Sequence, residues 1–176
     1  MHETPEDLQR LSSLLEVSIE RAGSFLRESF QMPEHSMSAG QVLHLLQGLP
    51  TVSMATVTAR GEPRVAPVGA LFYRGAFCIP TLMQAARARH TRQRPAISLT
   101  WYDGIDLSMI VHGDAEAIGV DHDEFEAVSN AFATVSKSTP DTWGGGGPLY
   151  LRINPSMFVT FARHPANVPD ATEPAP

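Results

Sequence analysis

At Thr51 the chain changes texture, and this change limits the folds open to it. Residues 51–58, Thr-Val-Ser-Met-Ala-Thr-Val-Thr, are rich in β-branched side chains and partly alternate apolar with polar. Arg60-Gly61-Glu62-Pro63 reads as a turn, and a second strand is expected over residues 64–72. Arg74-Gly75 is a tight hairpin signal leading to a short third strand over 76–79. Residues 83–94 read as a helix that Pro95 terminates. Two strands follow, over 96–102 and 107–118, turned at Asp103-Gly104, with Gly113 marking a bulge or bend in the longer one. A helix then starts near Asp121 and Glu124, with Phe125, Val128, Phe132 and Val135 on one side. After a loop over 136–148, strands over 149–153 and 158–161, separated by Asn154-Pro155, end the pattern. Six or seven mostly antiparallel strands with one inserted helix predict a sheet that closes into a barrel or a sandwich, because closure limits exposed edges.

The first fifty residues have helical periodicity instead. Thr4 can cap a helix, Pro5 suits its first turn, and Glu6 and Asp7 favour its dipole. Leu8, Leu11, Leu15, Ala22 and Leu26 then predict one amphipathic helix from residue 5 to about 30. Ser38-Ala39-Gly40-Gln41 resembles a capping box before a second helix bearing Val42, Leu45, Leu46 and Leu49. The expected organisation is a helical extension over 1–50 packed on a β-domain over 51–163. A tail over 164–176, rich in Pro, Ala and acids, is expected to be disordered. A single cysteine, Cys78, excludes an internal disulfide framework and fits a reducing cytoplasm. No apolar run approaches a membrane span, and no hydrophobic signal core follows the acidic Glu3, Glu6 and Asp7, so a cytoplasmic protein with no membrane partner is expected. The net charge of −6 argues against nucleic-acid binding.

Against that acidic background, residues 75–102 contain no Asp or Glu but do contain Arg87, Arg89, Arg92, Arg94 and His90. On a helix, Arg87, His90 and Arg94 share one stripe, and Arg89 and Arg92 share the next. Clustered guanidinium groups repel one another. An anion relieves that repulsion, and the planar fork of arginine suits phosphate. Thr81, just before the helix, could add a hydroxyl near its N-terminus. The competing reading is a solvated arginine face paired with acids elsewhere in the chain. None of the seven histidines has a metal-ligand spacing, so no metal site is expected. Gly144 to Gly147 lacks the Lys-Ser/Thr of a phosphate loop and reads as flexible. Cys78 reads as core, and Trp101 as core or dimer packing or as a stacking surface.

The run from Thr51 to Val68, with Phe72-Tyr73-Arg74-Gly75-Ala76-Phe77, Arg87-Ala88-Arg89-His90 and Val111-His112-Gly113-Asp114-Ala115-Glu116, resembles the pyridoxamine 5′-phosphate oxidase-like family. That FMN-binding split-barrel superfamily includes reductases dependent on the deazaflavin F420. The resemblance spans roughly residues 40–162. It implies a mainly β, α+β fold: a split β-barrel of six to seven antiparallel strands with two N-terminal helices. It also implies a homodimer with two cofactor sites at the subunit interface. Arg87 and Arg89 match the family's phosphate anchors, with Thr81 and His90 beside them. Ala55, Thr56, Val65, Ala66, Pro67 and Val68 match the strands against which the ring lies, and Trp101 with the 138–147 loop would shape the substrate pocket.

The chain departs from the family pattern in three places. Ala85 stands where many members carry serine, and Leu82-Met83-Gln84 replaces a more polar segment. Ala66 stands where true pyridoxamine phosphate oxidases carry an arginine, which speaks against that activity. The expected function is therefore an FMN- or F420-dependent oxidoreductase acting on a small organic molecule. The alternatives are a relative that has lost flavin redox chemistry and binds a ligand or catalyses a non-redox step, or one that binds haem through His112 or His164.

Overall fold

The strand texture after Thr51 becomes seven strands in a computed structural model that describes residues 2–171. In chain order the elements are α1 (Pro5–Arg21), α2 (Ser24–Ser29), α3 (Ala39–Leu45), β1 (Thr51–Val57), β2 (Pro63–Gly69), β3 (Leu71–Tyr73), β4 (Ala76–Leu82), α4 (Ala86–Gln93), β5 (Ala96–Asp103), β6 (Leu107–Gly119), α5 (Phe125–Val135) and β7 (Pro148–Ala162), with two short 3-10 turns. All seven strands form one antiparallel sheet in the order β2-β1-β5-β6-β7-β4-β3. The end strands β2 and β3 are joined through Ala70 alone, so the sheet must curl until its ends meet. The result is the curled split barrel of the expected α+β class.

Several boundaries differ from the sequence reading. The strand expected over 64–72 is two strands with different partners: Val68 pairs with Val52 on β1, and Phe72 with Phe77 on β4. The two closing strands are one fifteen-residue strand, β7. Asn154-Pro155 is no turn; Pro155 lies opposite Gly113, and the register shifts between His112 and Gly113. A proline is tolerated at such a bulge because no ladder N–H is needed from it. The long N-terminal helix is broken, since Ala22 leaves α1 in an extended conformation and Gly23 caps α2. The inserted helix begins at Ala86, after a turn, and not at Met83.

The strand period sends Val52, Met54, Leu99, Met109 and Phe158 into the barrel, where Leu11, Leu15 and Val42 from α1 and α3 join them. On the outside, α5 packs Val128 and Phe132 against Leu71, Cys78 and Tyr150. Both faces of β4 are thereby covered.

Beyond β4, the edge of β7 is satisfied by the N-terminal segment. The Phe158 amide donates to Ser18 Oγ at 2.8 Å, and the Ala162 amide to the His35 carbonyl at 2.8 Å. Open edges of this kind otherwise recruit other strands. The tail expected to be disordered from residue 164 is tied down as far as Ala171. Gln41 Nε2 donates to the carbonyls of Pro165 and Val168, Ser38 Oγ donates to Asp170 Oδ1, and the Ala171 amide donates to the Gly40 carbonyl. The rest of that expected tail, 172–176, lies outside the described residues. No helix among the described residues is long and apolar enough to cross a membrane.

Candidate functional site

The helix α4 lies across the start of the sheet, and its sequence leaves its N-terminus open. Ala85 is the N-cap and supplies no side-chain hydrogen bond. The first bond into the helix is from the Arg89 amide to the Ala85 carbonyl at 3.2 Å. The amides of the first turn therefore carry partial positive charge with no capping oxygen on them. This end and the adjoining helix face form one wall of a cavity of ≈ 420 Å³. The other wall comes from β1 and β2, through Met54, Thr56, Val65, Ala66 and Val68.

Arg87 projects from α4 onto this cavity. It is half-buried, and that desolvation lowers its pKa from the ordinary arginine value. Among the described residues none of Arg87, Arg89, Arg92 and Arg94 forms an ion pair with a carboxylate. This counts against the pairing with acids, while Arg89, Arg92 and Arg94 are exposed as on a solvated face and Arg87 alone is half-buried. Two of them satisfy carbonyls instead: Arg89 Nη1 donates to the Gln84 carbonyl at 2.6 Å, and Arg94 Nη2 to that of Ala59 at 2.9 Å. The second contact ties the C-terminal end of α4 to the turn after β1. His90 faces the same cavity as Arg87, and His90 Nδ1 shares a hydrogen bond of 3.0 Å with Thr56 Oγ1, joining the two walls.

Of the residues singled out from the sequence, Thr56, Val65, Ala66, Val68, Arg87 and His90 come together here. The others do not. Ala55 points to the opposite face of β1, into a shallower depression with Ser98 and His112. Pro67 is exposed on β2 opposite Ser53, again away from the cavity. Thr81 is buried on β4 opposite Leu149. Arg89 turns outward to Gln84, and Trp101 packs half-buried against the main core. The strand period explains Ala55, which alternates with Met54 and Thr56, whereas on the end strand β2 the consecutive Arg64, Val65 and Ala66 all reach the cavity and Pro67 does not. That period could also have found Met54 and Thr58, two residues either side of Thr56, which line the cavity as well. Arg64, also on the wall, is held by Glu62 at 2.7 Å.

Fold and site together define a split β-barrel whose inserted helix sets a cationic end against its first two strands. The chain belongs to the pyridoxamine 5′-phosphate oxidase family, whose model matches residues 39–144. Among solved structures it is similar to HutZ, a haem storage protein from Vibrio cholerae, with 16% identity over 69% of this chain and 94% of that one and a TM-score of 0.59. A conserved hypothetical protein from Mycobacterium tuberculosis matches at 15% identity over 81% of this chain and 96% of its own, with a TM-score of 0.57. An F420 reductase matches at 16% identity over 65% and 92%, with a TM-score of 0.51. At these identities the likeness is one of fold. No functionally curated protein matches the chain.

Proposed function

We propose that this protein is a cytoplasmic, homodimeric oxidoreductase that binds FMN or F420 in the cavity between α4, β1 and β2 and acts on a small organic molecule. The observation that carries this reading is Arg87: a half-buried guanidinium on a cavity wall, beside an uncapped helix N-terminus, with no carboxylate partner among the described residues. Such a group is costly to bury alone and becomes favourable once a phosphate meets it.

The donor set fits a flavin-type phosphate. The serine common at position 85 is absent, but the orphan amides of the α4 first turn supply the same kind of donor. The strand wall fits a flat ring, since Val65, Ala66 and Val68 offer a low, apolar surface. With no arginine at Ala66, the wall lacks the group expected for pyridoxamine phosphate oxidation. When bound, the cofactor supplies the hydride chemistry. The chain's part is to anchor the phosphate with Arg87, back the ring with β2 and fix His90 through Thr56.

The haem-binding alternative has one observation in its favour. His112 is exposed and held by Ser98 Oγ at 2.7 Å through its Nδ1, an orientation that leaves Nε2 for a ligand bond. An absorption spectrum of freshly purified protein, followed by titration with FMN and with F420, separates the readings. Saturable binding of either cofactor supports the proposal. A Soret band lost in His112→Ala supports haem, and a colourless protein with affinity for none of the three supports the non-redox alternative.

A further inference from the structure

We infer that the protein carries a second small-molecule site, behind α4, that takes an organic acid with an apolar body. The inference is independent of the cofactor reading. The helical period sends Ala88 and Arg92 to the face of α4 opposite Arg87 and His90. That face walls a separate cavity of ≈ 570 Å³, larger than the ≈ 420 Å³ on the other side and within the range of small-ligand pockets.

The walls are chemically uneven. The floor is Ala115 and Ala117 of β6 with Leu149 of β7, small or apolar side chains that leave the space open. Two large apolar side chains at the cavity, Met83 and Val120, are 58% and 59% exposed. A ligand's hydrocarbon would remove both from water. The polar groups are mostly committed: Thr91 Oγ1 donates to the Arg87 carbonyl, His122 Nδ1 accepts the Glu124 amide, and His122 Nε2 lies 3.7 Å from Glu116. Arg92 has no ion-pair partner among the described residues, and its fork suits a carboxylate. Asp121 on the same wall disfavours a dianion, so a monoanionic acid fits better than a phosphate.

The four-glycine run belongs to this site. The Met83 amide donates to the Gly147 carbonyl at 2.9 Å, and Gln84 Nε2 to the Gly145 carbonyl at 3.0 Å. Both glycines have positive φ, of 66° and 84°. A Cβ on Gly147 would press on Met83 at 3.0 Å, and one on Gly145 would come within 2.8 Å of Gln84 Nε2. Glycine is thus what lets the loop close against the 83–84 turn and complete the wall.

The test is calorimetric titration of the full chain with octanoate, with octanol as the neutral control. The expected result is saturable binding at one octanoate per chain, weaker by about tenfold for octanol and for the Arg92→Ala variant. Binding is expected to vanish in Ala117→Phe, which fills the cavity from an exposed position, and to persist in Arg87→Ala; circular dichroism checks that each variant is folded. Absence of saturable binding to the wild type would overturn the inference. So would unchanged affinity in folded Arg92→Ala and Ala117→Phe, or loss of binding in Arg87→Ala, which would place the ligand on the cofactor side.

Discussion

Replacing Arg87 with alanine separates a binding role from a structural one, because the two predict opposite effects on the empty protein. The guanidinium is half-buried, its pKa is lowered by desolvation, and no carboxylate pairs with it among the described residues. Arg87→Ala therefore removes a desolvated charge from the empty protein and breaks no ion pair. The thermal midpoint of the cofactor-free variant should equal or exceed that of the wild type. With cofactor bound, a charge-assisted hydrogen bond of roughly 1.5–3 kcal/mol is lost. At about 1.4 kcal/mol per decade, Kd should rise roughly 10- to 140-fold. Fluorescence or absorbance titration with FMN and F420 reads the affinity, and differential scanning fluorimetry with and without cofactor reads the stability. Unchanged affinity would refute the anchor assignment. A cofactor-free variant destabilised by more than about 1 kcal/mol would show that Arg87 holds the fold, beyond what surface substitutions typically cost.

Three further outcomes follow from the packing. A Cβ on Gly113 would overlap the Asn154 carbonyl oxygen at the β6–β7 bulge, so Gly113→Ala should cost at least about 2 kcal/mol. For a chain of this size that lowers the melting temperature by about 4–8 °C, and an unchanged melt would show that the bulge relaxes freely. Ser18→Ala leaves the buried Phe158 amide without its 2.8 Å acceptor and should cost about 1–3 kcal/mol in urea unfolding, whereas a neutral result would mean that another group takes its place. Burial pushes the Cys78 thiol up to about 12, from an ordinary value of 9.0. The folded state holds the proton more tightly than the unfolded state, so this contribution is intact below pH 9 and is lost as pH rises towards 12. Cys78→Ala should flatten that part of the pH–stability curve, and the native thiol should resist Ellman's reagent at pH 8; rapid labelling of folded protein would contradict both.

Much of the fold was legible because local periods act over short stretches. The β-branched texture after Thr51 marked the sheet, and the capping patterns at Thr4 and Ser38 both close reciprocal hydrogen bonds in α1 and α3. The helical period grouped Arg87 with His90, and the strand period would have assigned Met54, Thr56 and Thr58 to one face. The same period shows why Ala55 does not reach the cavity between α4 and β2.

By itself, the sequence determined most of the helical and strand stretches, which face of each is apolar, and that arginines cluster after the Arg74-Gly75 hairpin. Tertiary structure alone decided where those faces meet. Strand pairing is set by residues far apart in the chain, so residues 64–72 had to be split at Ala70 by two different partners, and Pro155 stays inside β7 opposite Gly113, beside a bulge that leaves Ser156 without a partner. Docking of α4 set Arg87 on one cavity and Arg92 on another, and turned Arg89 and Arg94 to backbone carbonyls. A local pattern gives the direction of a side chain relative to its own element, whereas a site needs the distance to another one.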